Sequence, residues 1–176
     1  LKEFKKKYGH VSPNSNSSGL GMWCQTQRKN YRKGTLSQER IELLNKLDFD
    51  WDPIENKWQK RFLELKELKK EYGHTNPTPR SELSSWCLLQ RQNRKKGILS
   101  QAKIKLLDSL DFDWDPNETQ WQKNFAKLKE FKKKYGHANP KRSSEFDALS
   151  KFCKIQREMY KNGQLSQERF ELLNNL

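Results

Sequence analysis

The chain is 176 residues long and only 32% hydrophobic, well below the roughly 45–50% of an average soluble domain, which argues against a single large core. Lysine and arginine total 36 against 22 aspartates and glutamates, a formal charge of +14, and no apolar run approaches the ~18 residues of a membrane-spanning helix. The 6 Trp, 9 Phe and 5 Tyr exclude a solvated, disordered chain and predict several small folded units with strongly charged surfaces.

The first ten residues, LKEFKKKYGH, recur as LKELKKEYGH at 65–74 and as LKEFKKKYGH at 128–137, so the sequence is a tandem repeat. Next comes Trp23-Cys24-x-x-Gln27-Arg28, which returns as Trp86-Cys87-x-x-Gln90-Arg91 and as Phe152-Cys153-x-x-Gln156-Arg157. Gly34, Gly97 and Gly163 follow, then Leu-Ser-Gln at 36, 99 and 165, and the block Asp48-Phe49-Asp50-Trp51-Asp52-Pro53 recurs at 111–116. These phases divide the chain into repeats at 1–52, 53–115 and 116–176, the middle one complete and the outer two clipped.

Each repeat is expected to hold three helices. The first starts at Asp52 or Asp115, an N-cap aspartate with proline at N1 and glutamate (Glu55, Glu118) at N3, a capping-box signal. Trp58, Phe62, Leu65, Leu68 and Tyr72 form its apolar stripe, Trp121 matches Trp58, and Gly73 supplies the left-handed stop after about 20 residues. A polar loop with proline leads to a second helix bearing Leu83, Trp86, Cys87, Gln90, Arg91 and Arg94 at spacings of three and four, ended by Gly97. The third opens at an N-cap serine (Ser37, Ser100, Ser166) and runs through Ile104, Leu106, Leu107 and Leu110. Phe49 and Trp51 are expected to pack back on the bundle, with Asp48 in the left-handed position closing helix three. Trp23, Trp86, Phe152, Trp51, Trp114, Trp58 and Trp121 are therefore assigned structural roles. No segment alternates as a strand does, and the fold class expected is all-α, three small three-helix bundles of about 63 residues in tandem.

Common catalytic signatures are absent. The sequence has no phosphate-binding G-x-x-x-x-G-K-[ST], no G-x-G-x-x-G, no G-x-S-x-G and no H-E-x-x-H. His10, His74 and His137 occur once per repeat with one cysteine each, which does not supply the four ligands of a zinc site. The Asp48-x-Asp50-x-Asp52 spacing resembles a calcium loop, yet Pro53 stands where glycine is needed and Gln59 where a bidentate glutamate belongs. Neither a metal nor another cofactor is expected. Cys24, Cys87 and Cys153 are odd in number and widely spaced, as reduced thiols are, and this favours an intracellular setting, cytoplasm or nucleoid in a bacterium, nucleus or organelle in a eukaryote. The chain begins at Leu1 with no charged leader or apolar stretch, and reads as a fragment with no visible signal peptide.

Every repeat is net positive, with 10 basic and 6 acidic residues in the first, 13 and 9 in the second, and 13 and 7 in the third. On helix one most lysines alternate with glutamates, as on a solvated face. The end of helix two is different: Arg28, Lys29, Arg32 and Lys33, then Arg91, Arg94, Lys95 and Lys96, then Arg157 and Lys161, have few acids nearby. The helix dipole accounts for part of this. Gln90 and Arg91 share the stripe of Trp86 and Cys87, so two roles stand side by side: a guanidinium stacked within the bundle, or a donor to phosphates.

The pattern Tyr-Gly-His-x-x-Pro, Leu83-x-x-Trp86-x-x-x-Gln90-Arg91, Gly97-x-Leu99-Ser100 and Leu110-x-Phe112-x-Trp114-Asp115 resembles the helicase-associated domain family, three times over, and Gly21 matches a glycine which that family places before its tryptophan. The family usually has Leu-Gly-Phe where this chain has Leu47-Asp48-Phe49 and Leu110-Asp111-Phe112, and a longer loop from histidine to proline; Phe152 stands for its tryptophan in the third repeat. The resemblance implies three-helix bundles and a nucleic-acid-binding role. With the absent catalytic signatures and apolar runs, the chain reads as a non-catalytic nucleic-acid-binding module, DNA favoured over RNA, with a helicase motor in the same or another chain as a partner and no membrane association. The alternative is a protein-interaction scaffold for an acidic partner, with Trp51 and Trp114 as exposed anchors.

Overall fold

The computed structural model describes residues 1–11, 13, 19–143 and 145–176. Among these the secondary structure is entirely helical, in nine helices: α1 (Lys2–Tyr8), α2 (Gly19–Arg32), α3 (Gln38–Asn45), α4 (Pro53–Tyr72), α5 (Glu82–Lys95), α6 (Gln101–Asp108), α7 (Pro116–Tyr135), α8 (Asp147–Lys161) and α9 (Gln167–Asn174). Apart from Val11 and Pro13, the proline loop of the first repeat lies outside the described residues. Two compact units are present, Leu1–Trp86 and Cys87–Leu176, with the division inside α5.

The helix starts follow from their caps. Asp52 accepts from the Glu55 amide at 3.1 Å and Asp115 from the Glu118 amide at 3.2 Å, with proline at the first turn. The reciprocal half of the box is replaced: the Asp52 amide donates to Asp50 Oδ1 at 3.2 Å, while Glu55 accepts from Gln59 at 2.8 Å. Ser100 and Ser166 cap α6 and α9 through their hydroxyls, whereas Ser37 makes no such bond. Gly73 and Gly136 end α4 and α7 at φ 74° and 78°.

After α3 and α6 the left-handed position is held by aspartate, Asp48 at φ 55° and Asp111 at φ 51°. This turn returns the Phe49 amide to the Leu44 carbonyl at 3.1 Å and the Phe112 amide to that of Leu107 at 3.2 Å, which brings each phenylalanine back over its own repeat. Asp48 also pairs with Lys5 at 2.7 Å, and that cation holds its carboxyl below the usual range.

In the first unit, Val11, Cys24, Leu36, Leu44 and Phe49 form one buried cluster, flanked by Leu1, Ile41, Leu47 and Trp51. Trp58, Phe62 and Leu65 are the buried positions of α4, with Trp58 stacked on Phe62 at 5.3 Å and tilted against Trp86 at 5.7 Å. In the second unit, Trp121, Phe125, Leu128 and Phe131 of α7 pack with Leu149, Phe152 and Cys153 of α8, covered by Leu172, Leu173 and Leu176. Two expected core positions face out: Tyr72 is 61% exposed as the last residue of α4, and Leu106 is 39% exposed because it and the buried Leu107 cannot point the same way on one turn.

Candidate nucleic-acid interface

Helix two carries the arginines that the sequence singles out, one turn after a buried cysteine. Arg28 is turned inward, 8% exposed; its Nε donates to the Asp50 carbonyl at 2.7 Å and its guanidinium lies 4.8 Å from the Phe49 ring centre. Nη2 of Arg28 is buried without a hydrogen-bond partner. Arg91 repeats the arrangement, donating to the Asp113 carbonyl at 2.8 Å over Phe112 at 4.9 Å, and burial draws its pKa below the ordinary value against the opposing charges of Cys87, Asp113 and Asp115. Arg28 and Arg91 thus take the stacked role, fastening the Asp-Phe-Asp-Trp block to helix two. Arg157 is exposed, and its Nη2 donates to Asn139 Oδ1 at 2.9 Å.

The remaining cations are at the surface. Lys29, Arg32 and Lys33 surround the end of α2, Arg94, Lys95 and Lys96 that of α5, and Lys161 is the last residue of α8; all are exposed. Lys29, Arg32, Lys33, Lys95, Lys96 and Lys161 make no ion pair among the described residues, in contrast to Arg61, which pairs with Glu64 and Glu82, and Lys151, which pairs with Asp147. The Arg94 guanidinium lies over Trp114, 4.2 Å from the ring centre; in the first repeat Tyr31 occupies the same register and stacks on Trp51 at 4.2 Å.

The tryptophans divide by depth. Trp58 and Trp121 are buried, and Trp121 donates from Nε1 to Gln156 at 2.9 Å beneath Arg169, which pairs with Glu118 at 2.5 Å. Phe152 is buried at the position of Trp86, which is half-buried. Trp51 and Trp114 are half-buried and pinned, their indole nitrogens donating to Asn45 Oδ1 at 2.8 Å and Asp108 Oδ1 at 2.7 Å. Trp23 departs from its expected structural role: it is 44% exposed, at the rim of a cleft shared with Gln27, Arg40 and Leu43. Its counterparts lie against a ring, Trp86 on Trp58 and Phe152 on Trp121.

Sequence reasoning missed Tyr31, Asn45, Asp108, Gln156 and Arg169 as the groups that hold the aromatics. Their signal was a polar side chain at a fixed offset among leucines, as in Asn45, Asp108 and Asn174.

His10, His74 and His137 are exposed, and Nδ1 of His74 and His137 accepts from the amide two residues on, at 3.4 and 3.3 Å, a local turn. No grouping of three metal-ligating side chains occurs among the described residues. The three cysteines are buried and unpaired; burial pushes all three thiols up, Cys87 to about 11 against the opposing charge of Arg91. Such thiols are poor nucleophiles. No helix among the described residues is long and apolar enough to cross a membrane.

Fold and surface together define a tandem array of small helical repeats, the first two clasped by an arginine and all edged with cations. The family model described as "Helicase associated domain" matches residues 1–52, 55–115 and 118–176. Those matches take in nearly the whole chain, which belongs to the helicase-associated domain family, an accessory module of helicase-type proteins. No curated protein and no solved structure matches the chain significantly.

Proposed function

We propose that the chain is a non-catalytic, intracellular nucleic-acid-binding module, built of repeats at 1–52, 53–115 and 116–176, that positions a helicase motor of the same or another chain on its substrate, with DNA favoured over RNA. The observation that carries this reading is the set of exposed cations without ion pairs at the end of helix two, Lys29, Arg32 and Lys33, Lys95 and Lys96, and Lys161, joined by the exposed Arg94 and Arg157. Arg28 and Arg91 serve indirectly, by fixing the backbone around which these side chains stand. Phosphate contacts of this kind bind any sequence, and several weak sites on one chain gain through effective concentration. A scaffold using Trp51 and Trp114 as anchors is disfavoured by the hydrogen bonds that hold both indoles half-buried.

The test is fluorescence anisotropy with matched single- and double-stranded DNA and RNA over a salt series, with heparin as the polyanion control. Each phosphate contact contributes a log–log salt slope of roughly 0.9 on duplex DNA, so Lys95→Ala with Lys96→Ala is expected to flatten the slope by about 2 and to weaken all sequences evenly. An unchanged slope, or binding indistinguishable from heparin, refutes the reading.

A further inference from the structure

The first helix of every repeat ends on the same turn, Tyr8-Gly9-His10, Tyr72-Gly73-His74 and Tyr135-Gly136-His137. All three tyrosines and all three histidines are exposed. Tyr72, in the middle repeat, is the most exposed of the tyrosines, so the exposure belongs to the turn and not to a chain end. The glycine takes the left-handed backbone and sends the histidine back beside the helix end. Ring centres are 6.4 Å apart for Tyr8 and His10 and 6.1 Å for Tyr72 and His74; in the third repeat Tyr135 and His137 both pack on Phe131, at 4.6 and 5.5 Å.

Cations frame two of these turns. Lys5-Lys6-Lys7 precedes Tyr8 and Lys132-Lys133-Lys134 precedes Tyr135; Lys7 Nζ lies 5.1 Å from the centre of the Tyr8 ring and Lys134 Nζ 5.0 Å from that of Tyr135. Lys6, Lys7, Lys132 and Lys133 make no ion pair among the described residues. The second repeat has Glu71 at the corresponding place, and its carboxylate accepts from the Tyr72 hydroxyl. A single exposed aromatic is ordinary on a protein surface. An exposed ring with an ammonium over its face is different, because plane and charge together match a nucleotide, whose base is flat and whose phosphate is an anion.

We propose, resting on the nucleic-acid-binding reading above, that the Tyr-Gly-His turns closing α1 and α7 are base-stacking platforms selective for single-stranded nucleic acid. An unpaired base lies on the tyrosine ring and displaces the lysine from its face, and the ammonium takes the adjoining phosphate. A base stacked on an aromatic side chain gains more than an exposed lysine gains over the same ring, so the exchange is favourable. Inside a duplex each base is held in the stack by its neighbours. The tyrosines then have no face to meet, while the cations of helix two still reach the backbone.

The test is anisotropy with three fluorescein-labelled probes of about 12 nucleotides: oligothymidylate, the same strand paired with oligodeoxyadenylate, and an abasic strand with the same phosphates. Tyr8→Leu with Tyr135→Leu is expected to weaken oligothymidylate binding at least about tenfold and to change duplex and abasic binding by less than about twofold. Tyr8→Phe with Tyr135→Phe keeps both rings and should bind as the unsubstituted chain does. Leucine keeps the apolar contacts with Phe4 and Phe131, and circular dichroism should show the variant folded. Equal losses on all three probes, an equal loss from Tyr72→Leu, or a comparable loss in the phenylalanine variant would overturn the proposal, while duplex binding by the unsubstituted chain would leave the proposed function standing. Absence of binding to every probe would overturn both.

Discussion

Replacing Trp121 by alanine removes a side chain that is 5% exposed, stacked on Phe125 at 5.0 Å and hydrogen-bonded to Gln156. Loss of a buried tryptophan costs about 3–5 kcal/mol in transfer and cavity terms. Gln156 is itself 7% exposed and loses its donor, which moves the value toward the upper end. Folded domains hold roughly 0.05–0.15 kcal/mol per residue, so a repeat of ~60 residues has about 3–9 kcal/mol to lose. With a urea dependence of about 1–1.5 kcal/mol per M, the midpoint of the third repeat's unfolding should fall by at least about 2 M. Trp23→Ala is the matched control, because Trp23 is 44% exposed; its cost should stay near 1 kcal/mol. Trp121→Phe keeps the stack and deletes the indole donor, at a cost of about 1–3 kcal/mol. Urea titration followed by far-ultraviolet circular dichroism measures all three, and equal midpoint shifts for Trp121→Ala and Trp23→Ala would refute the ranking by depth of burial.

Asp115→Ala deletes the side-chain cap of α7 and should destabilise the second unit by about 1 kcal/mol, while Asp115→Asn should lose much less. Cys87, with its thiol near 11, should be alkylated by iodoacetamide at pH 8 more than about 100-fold slower in the native chain than in urea, where the thiol returns to about 8.5. The same shift sets a pH window. The folded state favours the protonated thiol, so this contribution is complete below about 8.5 and is lost as pH rises toward 11; stability that stayed flat across that interval would count against the burial argument.

The repeat, the helix starts and most of the buried aromatics were legible because each rests on local chemistry: Asp52-Pro53 caps a helix whatever surrounds it, and Trp58, Phe62 and Leu65 keep helical period. The two roles of Arg28 and Arg91 were not separable in the sequence, since their partners are the carbonyls of Asp50 and Asp113, and a carbonyl leaves no mark on residue identity. Leu106 and Leu107 are chemically alike, and only the turn angle of α6 decides which one is buried. The exposure of Trp23 was hidden for a different reason: it holds the same place in the repeat pattern as Trp86 and Phe152, and depth is set by what packs over a residue, not by its identity.

The arginine clasp also bears on how such a chain is made. Arg28 and Asp50 are 22 positions apart, as are Arg91 and Asp113, so the contact that closes a repeat spans little of the sequence. Synthesis at ~5–20 residues per second lays down a repeat of ~63 residues in roughly 3–13 s, whereas helical domains with local contacts fold in microseconds to milliseconds. Each repeat therefore finishes folding while its successor is still being translated, and the last residues that complete it, Trp51 and Asp52 or Trp114 and Asp115, are those that start the next helix. A nascent array of this design exposes the apolar surface of no more than one growing repeat at a time, however many repeats follow.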